Sequence, residues 1–449
     1  MDPYILSPEH VQSAPESLRE RLKHLGPSLI LSAAIVGSGE LIATTSLGAK
    51  AGFTTFWLII LGCFIKVMVQ LGFGKYTLLS GKTAMQSLND LPGPRTKRAN
   101  WVLWSMAPMM LLKLLQMGGI IGGVALILEQ AFPGTPLYVW AVGSGLVVAF
   151  LVSNGYYRSI ERISIYMIAF FTIFTFSALY FLKYTPYALT WSDIAEGLTF
   201  KLPQTSLAFA FGAFGITGVG GDEIIHYNYW CLEKGYAAFT GPKENSVIWE
   251  NRAKGWLKVM QLDALIAMFI YTAVTAAFYL LGAAVLHSQG ELPEGYEMIE
   301  TLSQIFTTSL GPSARLFFLA GSFVVLFSTL FASLAAWTRQ YTDILGQFRL
   351  IDFHNSVLRN KVNRWLSWIL PAIWVLLFLL VKLPLAMVLI GGIVGSLILI
   401  IVVLAVIYFR YFGTEKAFRP TFLYDFIFWI SCLSILAIAL YGILRIFIE

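Results

Sequence analysis

Two short motifs set carboxylates beside glycines in the middle of apolar stretches: Gly37-Ser38-Gly39-Glu40 and Gly220-Gly221-Asp222-Glu223. Glycine loosens a helix and frees backbone carbonyls, and a carboxylate in hydrocarbon is costly and marks function by default. Irregular backbone at membrane depth persists only where it is buried in protein or lines a cavity. A matched pair of interrupted spans is the sequence pointer to a secondary transporter's substrate site. Glu40 stands where a half-helix would restart, so it caps backbone N–H groups there, binds a cation, or does both, since a capping carboxylate keeps a free oxygen. Asp222 and Glu223 are adjacent and lie about 100° apart on a helix, which predicts that only one faces the site. Asp222 and His226 are four apart and share a face. His226 is a proton relay, a cation ligand or a hydrogen-bonded core histidine. Thr217 offers a hydroxyl and a carbonyl at the other lip of the second break. In the third apolar stretch Lys113 and Gln116 share a face, and Lys113 is a fixed internal cation, a partner for an acid, or a snorkelling side chain. Asp263 is expected to anchor its helix, and Tyr227, Asn228 and Tyr229 to extend the half-helix after the second break inward.

The elements that must hold these groups are membrane spans. The 449 residues are 57% hydrophobic and 12% charged, with mean hydropathy +0.72, where a soluble domain carries about 25% charged residues. Spans need about 20 mainly apolar residues, and eleven are predicted: 28–49, 53–78, 101–130, 136–153, 160–183, 206–231, 257–286, 314–338, 366–381, 384–409 and 422–447. With the N-terminus inside, twenty-three Lys and Arg fall in cytosolic segments and six outside, leaving Lys66 and Lys113 within spans. The positive-inside rule then gives a cytosolic N-terminus and an external C-terminus. The outer segment with Glu291, Glu294, Glu297 and Glu300 is a cation-attracting vestibule or a plain solvated loop. Cys63, Cys231 and Cys432 lack metal-ligand spacing and read as small core residues.

The two breaks fall in spans one and six, so spans 1–5 and 6–10 form two halves of opposite orientation, a five-plus-five inverted repeat. The expected organisation is a cytosolic tail (1–24) and one transmembrane domain (25–449), divided into a first repeat (25–200), a second repeat (201–412) and an additional helix (413–449). The polar tail is not a signal peptide. Nucleophile elbow, P-loop, HExxH and CxxC signatures are absent, and the largest cytosolic loop (about 232–256) is too short for a nucleotide-driven motor domain.

The run Leu25-Gly26-Pro27-Ser28-Leu29 leading to Gly37-Ser38-Gly39-Glu40, then Gly52-Phe53, Trp57 and Gln70, resembles the first two spans of Nramp-type divalent-metal transporters. The resemblance covers essentially the whole chain. It implies an all-α membrane protein of the leucine-transporter fold, with broken helices 1 and 6 and a metal site between them. The family's first break reads Asp-Pro-Gly-Asn, and those residues fall on Gly37, Ser38, Gly39 and Glu40. Its sixth span reads Met-Pro-His-Asn; anchored at Thr217, these fall on Val219, Gly220, Gly221 and Asp222, and the family's second His falls on His226. The family's acidic pair in span three is replaced here by Leu115-Gln116-Met117-Gly118, with Lys113 close by. Without the thioether, the remaining oxygens suit a hard cation.

The expectation is a non-enzymatic secondary transporter in a plasma (bacterial inner) membrane, with the lipid bilayer and a small ion or molecule as partners, no nucleic acid and no cofactor. Its cargo is a divalent cation such as Mg²⁺ or Mn²⁺, moved by alternating access with weak or no proton coupling. Glu40 is its main side-chain ligand and Asp222 the second, with the carbonyls of Gly37 and Val219 completing the shell and Thr217 beside them. Glu223, His226, Lys113 and Gln116 are candidates for proton or supporting roles, and the protein is expected to be monomeric in the bilayer. The alternatives are a small organic solute or amino-acid symporter, with a half-helix N-terminus holding the solute's carboxylate, and a transport-inactive sensor on the same fold.

Overall fold

The computed structural model describes residues 2–448 apart from 97, 154–156, 202–206, 294–296, 312, 415 and 419–420. Lys97 and Glu294, and the predicted start of span six at 206, lie outside the described residues. Among the described residues, eight helices are long and apolar enough to cross a membrane, and Pro27–Ile35 with Gly39–Ala51 adds a bent pair. Leu137–Ser153 and the pair Leu207–Ile216 and Gly221–Lys234 occupy the predicted fourth and sixth positions. Numbered spans below refer to the predicted order.

Helix ends follow from local chemistry. Asn100, Ser246 and Asn355 accept hydrogen bonds from backbone N–H groups of the first turns of Trp101–Ala131, Val247–Leu281 and Ser356–Val381, satisfying donors that have no partner within a helix. Spans nine and ten are joined by two residues, with Lys382 left-handed at φ 56°. The loops of one end carry the N-terminal tail, laid across spans two, six, seven and nine. Gln12 accepts from the Trp256 indole at 3.0 Å, and its N–H donates to Phe239 O at 3.0 Å.

Small residues let helices meet backbone to backbone. A Cβ on Gly215 would overlap the Gly392 carbonyl, so the first half of span six lies directly against span ten. Span three approaches span ten in the same way at Gly119, where a Cβ would lie 2.6 Å from Pro384 O.

The two breaks differ from one another. The second is open chain, Thr217–Gly220, with Gly218 at φ 65° between Leu207–Ile216 and Gly221–Lys234. The first is not unwound as the sequence suggests: Val36–Thr44 forms π-helical turns, with a bend of 40° between the flanking helices. Thr44 Oγ1 donates to Gly39 O at 2.9 Å and Thr45 Oγ1 to Glu40 O at 3.0 Å, each five residues back. The hydroxyls follow the wider coil and keep its carbonyls paired, so the helix broadens instead of opening.

Candidate functional site

Glu40 is fully buried and spans the gap between the breaks. Its Oε1 accepts from Thr275 Oγ1 of span seven at 2.8 Å and from Gly218 N of the second break at 3.4 Å. Capping of its own half-helix is therefore not what the carboxylate does; it caps across to span six. Oε2 has no hydrogen-bond partner. The glycines beside it are required by close approach: a Cβ on Gly39 would sit 2.8 Å from Ile216 O, and one on Gly37 would overlap Thr329. Thr329 Oγ1 donates to Ala34 O at 3.0 Å, tying span eight to the turn before the π-helical stretch.

Thr217 joins the two breaks. Its hydroxyl lies 2.9 Å from that of Thr44. Because Thr44 gives its one proton to Gly39 O, Thr217 is the donor in this pair. The Thr217 carbonyl accepts from Lys66 Nζ at 2.8 Å, and the Phe214 carbonyl accepts from the same ammonium. Val219 lies in the break and is fully buried.

On the other side of the second break, Lys113 Nζ and Asp222 Oδ2 form an ion pair at 2.7 Å with side chains 3% and 5% exposed. Of the readings open for Lys113, the acid partner is realised. Asp222 Oδ1 and Gln116 Oε1 are buried without partners. A small polar pocket is lined by Gly39, Lys113, Gln116, Asp222, Glu223 and Thr329, among others. Both adjacent acids line it, against the prediction that only one would. They belong to the first turn of Gly221–Lys234, and a pocket at the end of a helix wraps the turn, where angular separation no longer excludes a neighbour.

His226 is buried and shares a 2.8 Å hydrogen bond with Gln340 of span eight, the arrangement of a paired core histidine. Asp263 anchors more than its own helix: its two oxygens accept from Gly26 N and Ser28 N, each at 2.8 Å, and so cap the start of Pro27–Ile35. Asn228 donates to Thr77 at 2.7 Å and Tyr229 to Asp343 at 2.8 Å. Glu300, in the acidic outer segment, pairs with Arg315 at 2.5 Å. That pair neutralises one of the acids of the segment.

Below the breaks, a cavity of about 910 Å³ opens among the tail and the ends of spans four, five, six, eight and nine. Its walls are cross-linked. Arg339 grips Glu233 through two nitrogens at 2.5 and 2.8 Å, and Tyr4 donates to the same carboxylate at 2.7 Å. Asp2 pairs with Arg359 at 2.8 Å and Glu161 with Lys234 at 2.6 Å. Burial, and then the Glu233 charge, push the Tyr4 phenol well above its ordinary range, so it remains a donor. Residues from the tail and from four separate segments are thus tied together around this cavity.

Chemically, the breaks assemble three carboxylates (Glu40, Asp222, Glu223) and two ammonium groups (Lys66, Lys113), with oxygen acceptors lacking donors. Among the described residues no group of three or more His, Cys, Asp or Glu could hold a metal ion by itself. Sequence reasoning singled out neither Lys66 nor Thr275; both reach the site from helices without breaks.

The sequence profile of the Natural resistance-associated macrophage protein-like (Nramp) family matches residues 28–445. The chain is 21% identical over 294 residues to the divalent metal cation transporter MntH 1 of Pseudomonas aeruginosa, covering 64% of this chain and 62% of that protein. It is 22% identical over 307 residues to MntH of Deinococcus radiodurans, covering 68% and 65%. The matched stretch thus spans less than two thirds of either relative. In three dimensions the chain is similar to a mutant of the Eremococcus coleocola manganese transporter, with a TM-score of 0.68 at 16% identity, over 98% of this chain and 90% of that one. It is also similar to MhsT in complex with L-phenylalanine, with a TM-score of 0.59 at 13% identity, over 96% and 100%. These likenesses give the leucine-transporter type of fold, and Nramp proteins are transporters and not enzymes. With its profile match running from the first apolar stretch almost to the C-terminus, this chain belongs to the Nramp family.

Proposed function

We propose that the chain is a secondary transporter that carries a divalent cation by alternating access, with the cargo held between the two breaks. The observation that carries this reading is Glu40: a fully buried carboxylate with no ion-pair partner among the described residues and one oxygen without any donor. A charge so placed is costly unless a cation or proton meets it. Asp222 Oδ1 and Gln116 Oε1 add two further acceptors without donors, and Glu223 lines the pocket beside them. An all-oxygen set favours a hard ion over a soft one. Asp222 is already half neutralised by Lys113, so Glu40 is the principal side-chain ligand, with the carbonyls of Gly37 and Val219 as further oxygens. The stretch Leu115–Gly118 of span three offers no acid as a proton acceptor, which supports weak or absent proton coupling.

The same reading includes eleven spans in an inverted repeat, a cytosolic N-terminus, an external C-terminus, a plasma-membrane location and a monomeric transport unit. The clustering of Arg158, Arg339, Arg359 and Arg364 around one cavity with the tail supports the orientation. Isothermal titration with Mn²⁺, Mg²⁺ and Ca²⁺ tests the cargo, with Glu40→Gln beside the wild type. The expected result is binding that disappears in the variant while its thermal unfolding stays cooperative. Unchanged cation binding in Glu40→Gln would remove Glu40 from the site. The presence of two ammonium groups among the carboxylates favours one alternative, a zwitterionic organic solute, and binding of none of the three cations would transfer the proposal to it.

A further inference from the structure

Lys66 lies within Phe56–Ser80 of span two and is fully buried. Its ammonium makes no ion pair among the described residues. It donates instead to the carbonyls of Phe214 and Thr217, and stands 4.0 Å from the centre of the Phe214 ring. Those carbonyls end the first half of span six, where the helix stops and its last C=O groups lose their partners inside the helix. Partial negative charge gathers there. Half-helix C-termini and unwound carbonyls are what broken-helix transporters use to coordinate a small monovalent cation. The ring face of Phe214 adds attraction for a cation of either kind. The groups facing Lys66 are Cys63 on its own helix, Glu40 on span one and Glu223 on the second half of span six.

We infer that the Lys66 ammonium is a built-in cation filling a carbonyl-lined alkali-cation site at the break of span six. A tethered ammonium supplies the charge that a dissociable Na⁺ or K⁺ would supply, so the break is held without either ion. The inference stands on the geometry of Lys66 and holds whatever the cargo at Glu40.

The test is thermal unfolding of the purified full chain in NaCl, KCl, LiCl and choline chloride at equal ionic strength. Wild type is expected to unfold at the same temperature in all four. Lys66→Ala removes the ammonium and exposes the two carbonyls; it is expected to unfold earlier in choline and to regain about 3 °C or more in at least one alkali salt. Lys66→Met fills the same space without charge and is expected to show no alkali-specific gain. If Lys66→Ala is too unstable to purify in choline, recovery of folded protein in an alkali salt replaces the melting shift. Wild type that is itself stabilised by Na⁺ or K⁺, Lys66→Ala that responds to no alkali cation, or Lys66→Ala that cannot be recovered in any of the salts overturns the inference. Loss of divalent-cation binding in Glu40→Gln leaves it untouched, so the two readings fail separately.

Discussion

Lys113 and Asp222 offer the sharpest quantitative test. Their ion pair is 2.7 Å long, with both side chains almost wholly excluded from the surface. Removing one member of a buried pair leaves an uncompensated charge and costs about 3–5 kcal/mol, whereas replacing both with apolar groups of similar volume is often neutral. Lys113→Met should therefore destabilise strongly, Asp222→Leu likewise, and the double variant much less than their sum. A coupling of about 2–4 kcal/mol is expected from the cycle. The unfolding midpoint followed by tryptophan fluorescence, with thirteen tryptophans as reporters, should fall by roughly 3–5 °C in each single variant. There is a second, independent consequence. Without Lys113 the Asp222 carboxylate has no resident counter-charge, so Lys113→Met should bind divalent cations more tightly than wild type and recover stability when they are added. Two single variants that each cost under about 1 kcal/mol, or that add without coupling, would show that the pair is solvated in the working protein and would refute the reasoning.

Asp263→Ala leaves Gly26 N and Ser28 N without their acceptor. A loss of about 2–4 kcal/mol is expected, read as a lower unfolding midpoint, and a change below about 0.5 kcal/mol would mean that the start of span one finds other partners. Glu233→Ala removes the acceptor of Tyr4 and the charge partner of Arg339, so the tail should loosen. Charge-assisted bonds of this kind hold with about 1.5–3 kcal/mol, enough for trypsin to cut at Arg19, Arg21 or Lys23 roughly tenfold faster. Equal cleavage rates in variant and wild type would detach the tail from the closure.

The position of Glu40 beside a helix irregularity was legible in the sequence because acids at membrane depth are rare and glycines that loosen a helix precede it. The spans were legible from their length and apolar content. The order of the two breaks was legible too, but not their form: whether a Gly-Ser-Gly stretch unwinds or coils wider depends on Thr44 and Thr45, whose hydroxyls follow the carbonyls five residues back. Lys66 was illegible for a different reason. Within Phe64-Ile65-Lys66-Val67-Met68 it is a lone basic residue in an apolar run, and its acceptors lie 148 and 151 residues away. Nothing local records a partner that distant. The pairing of Asp222 with Lys113 was open to the sequence only as one option of three, since choosing among them requires knowing that spans three and six face each other.

Once the breaks are seen together, the sign of each residue follows from the peptide groups it meets. A helix that stops leaves carbonyls at one lip and N–H groups at the other. At the first lip the carbonyls of Phe214 and Thr217 receive the ammonium of Lys66, and the Thr217–Gly218 peptide group turns its N–H to the carboxylate of Glu40. Each side chain arrives from a different helix, so the discontinuity in span six is what binds spans one, two and seven to it. The arrangement also divides the labour. Lys66 has two carbonyl acceptors and a ring face around it, whereas Glu40 keeps Oε2 free of any donor. On the proposed reading, a cation entering between the breaks meets carbonyls already paired with Lys66 and a carboxylate oxygen that still lacks a positive partner. On that reading charge directs it to Glu40, and its departure would have to be accompanied by a second cation or a movement of the Gly218 and Thr275 donors. That coupling of cargo to the contacts between spans one, six and seven is the elementary requirement for alternating access.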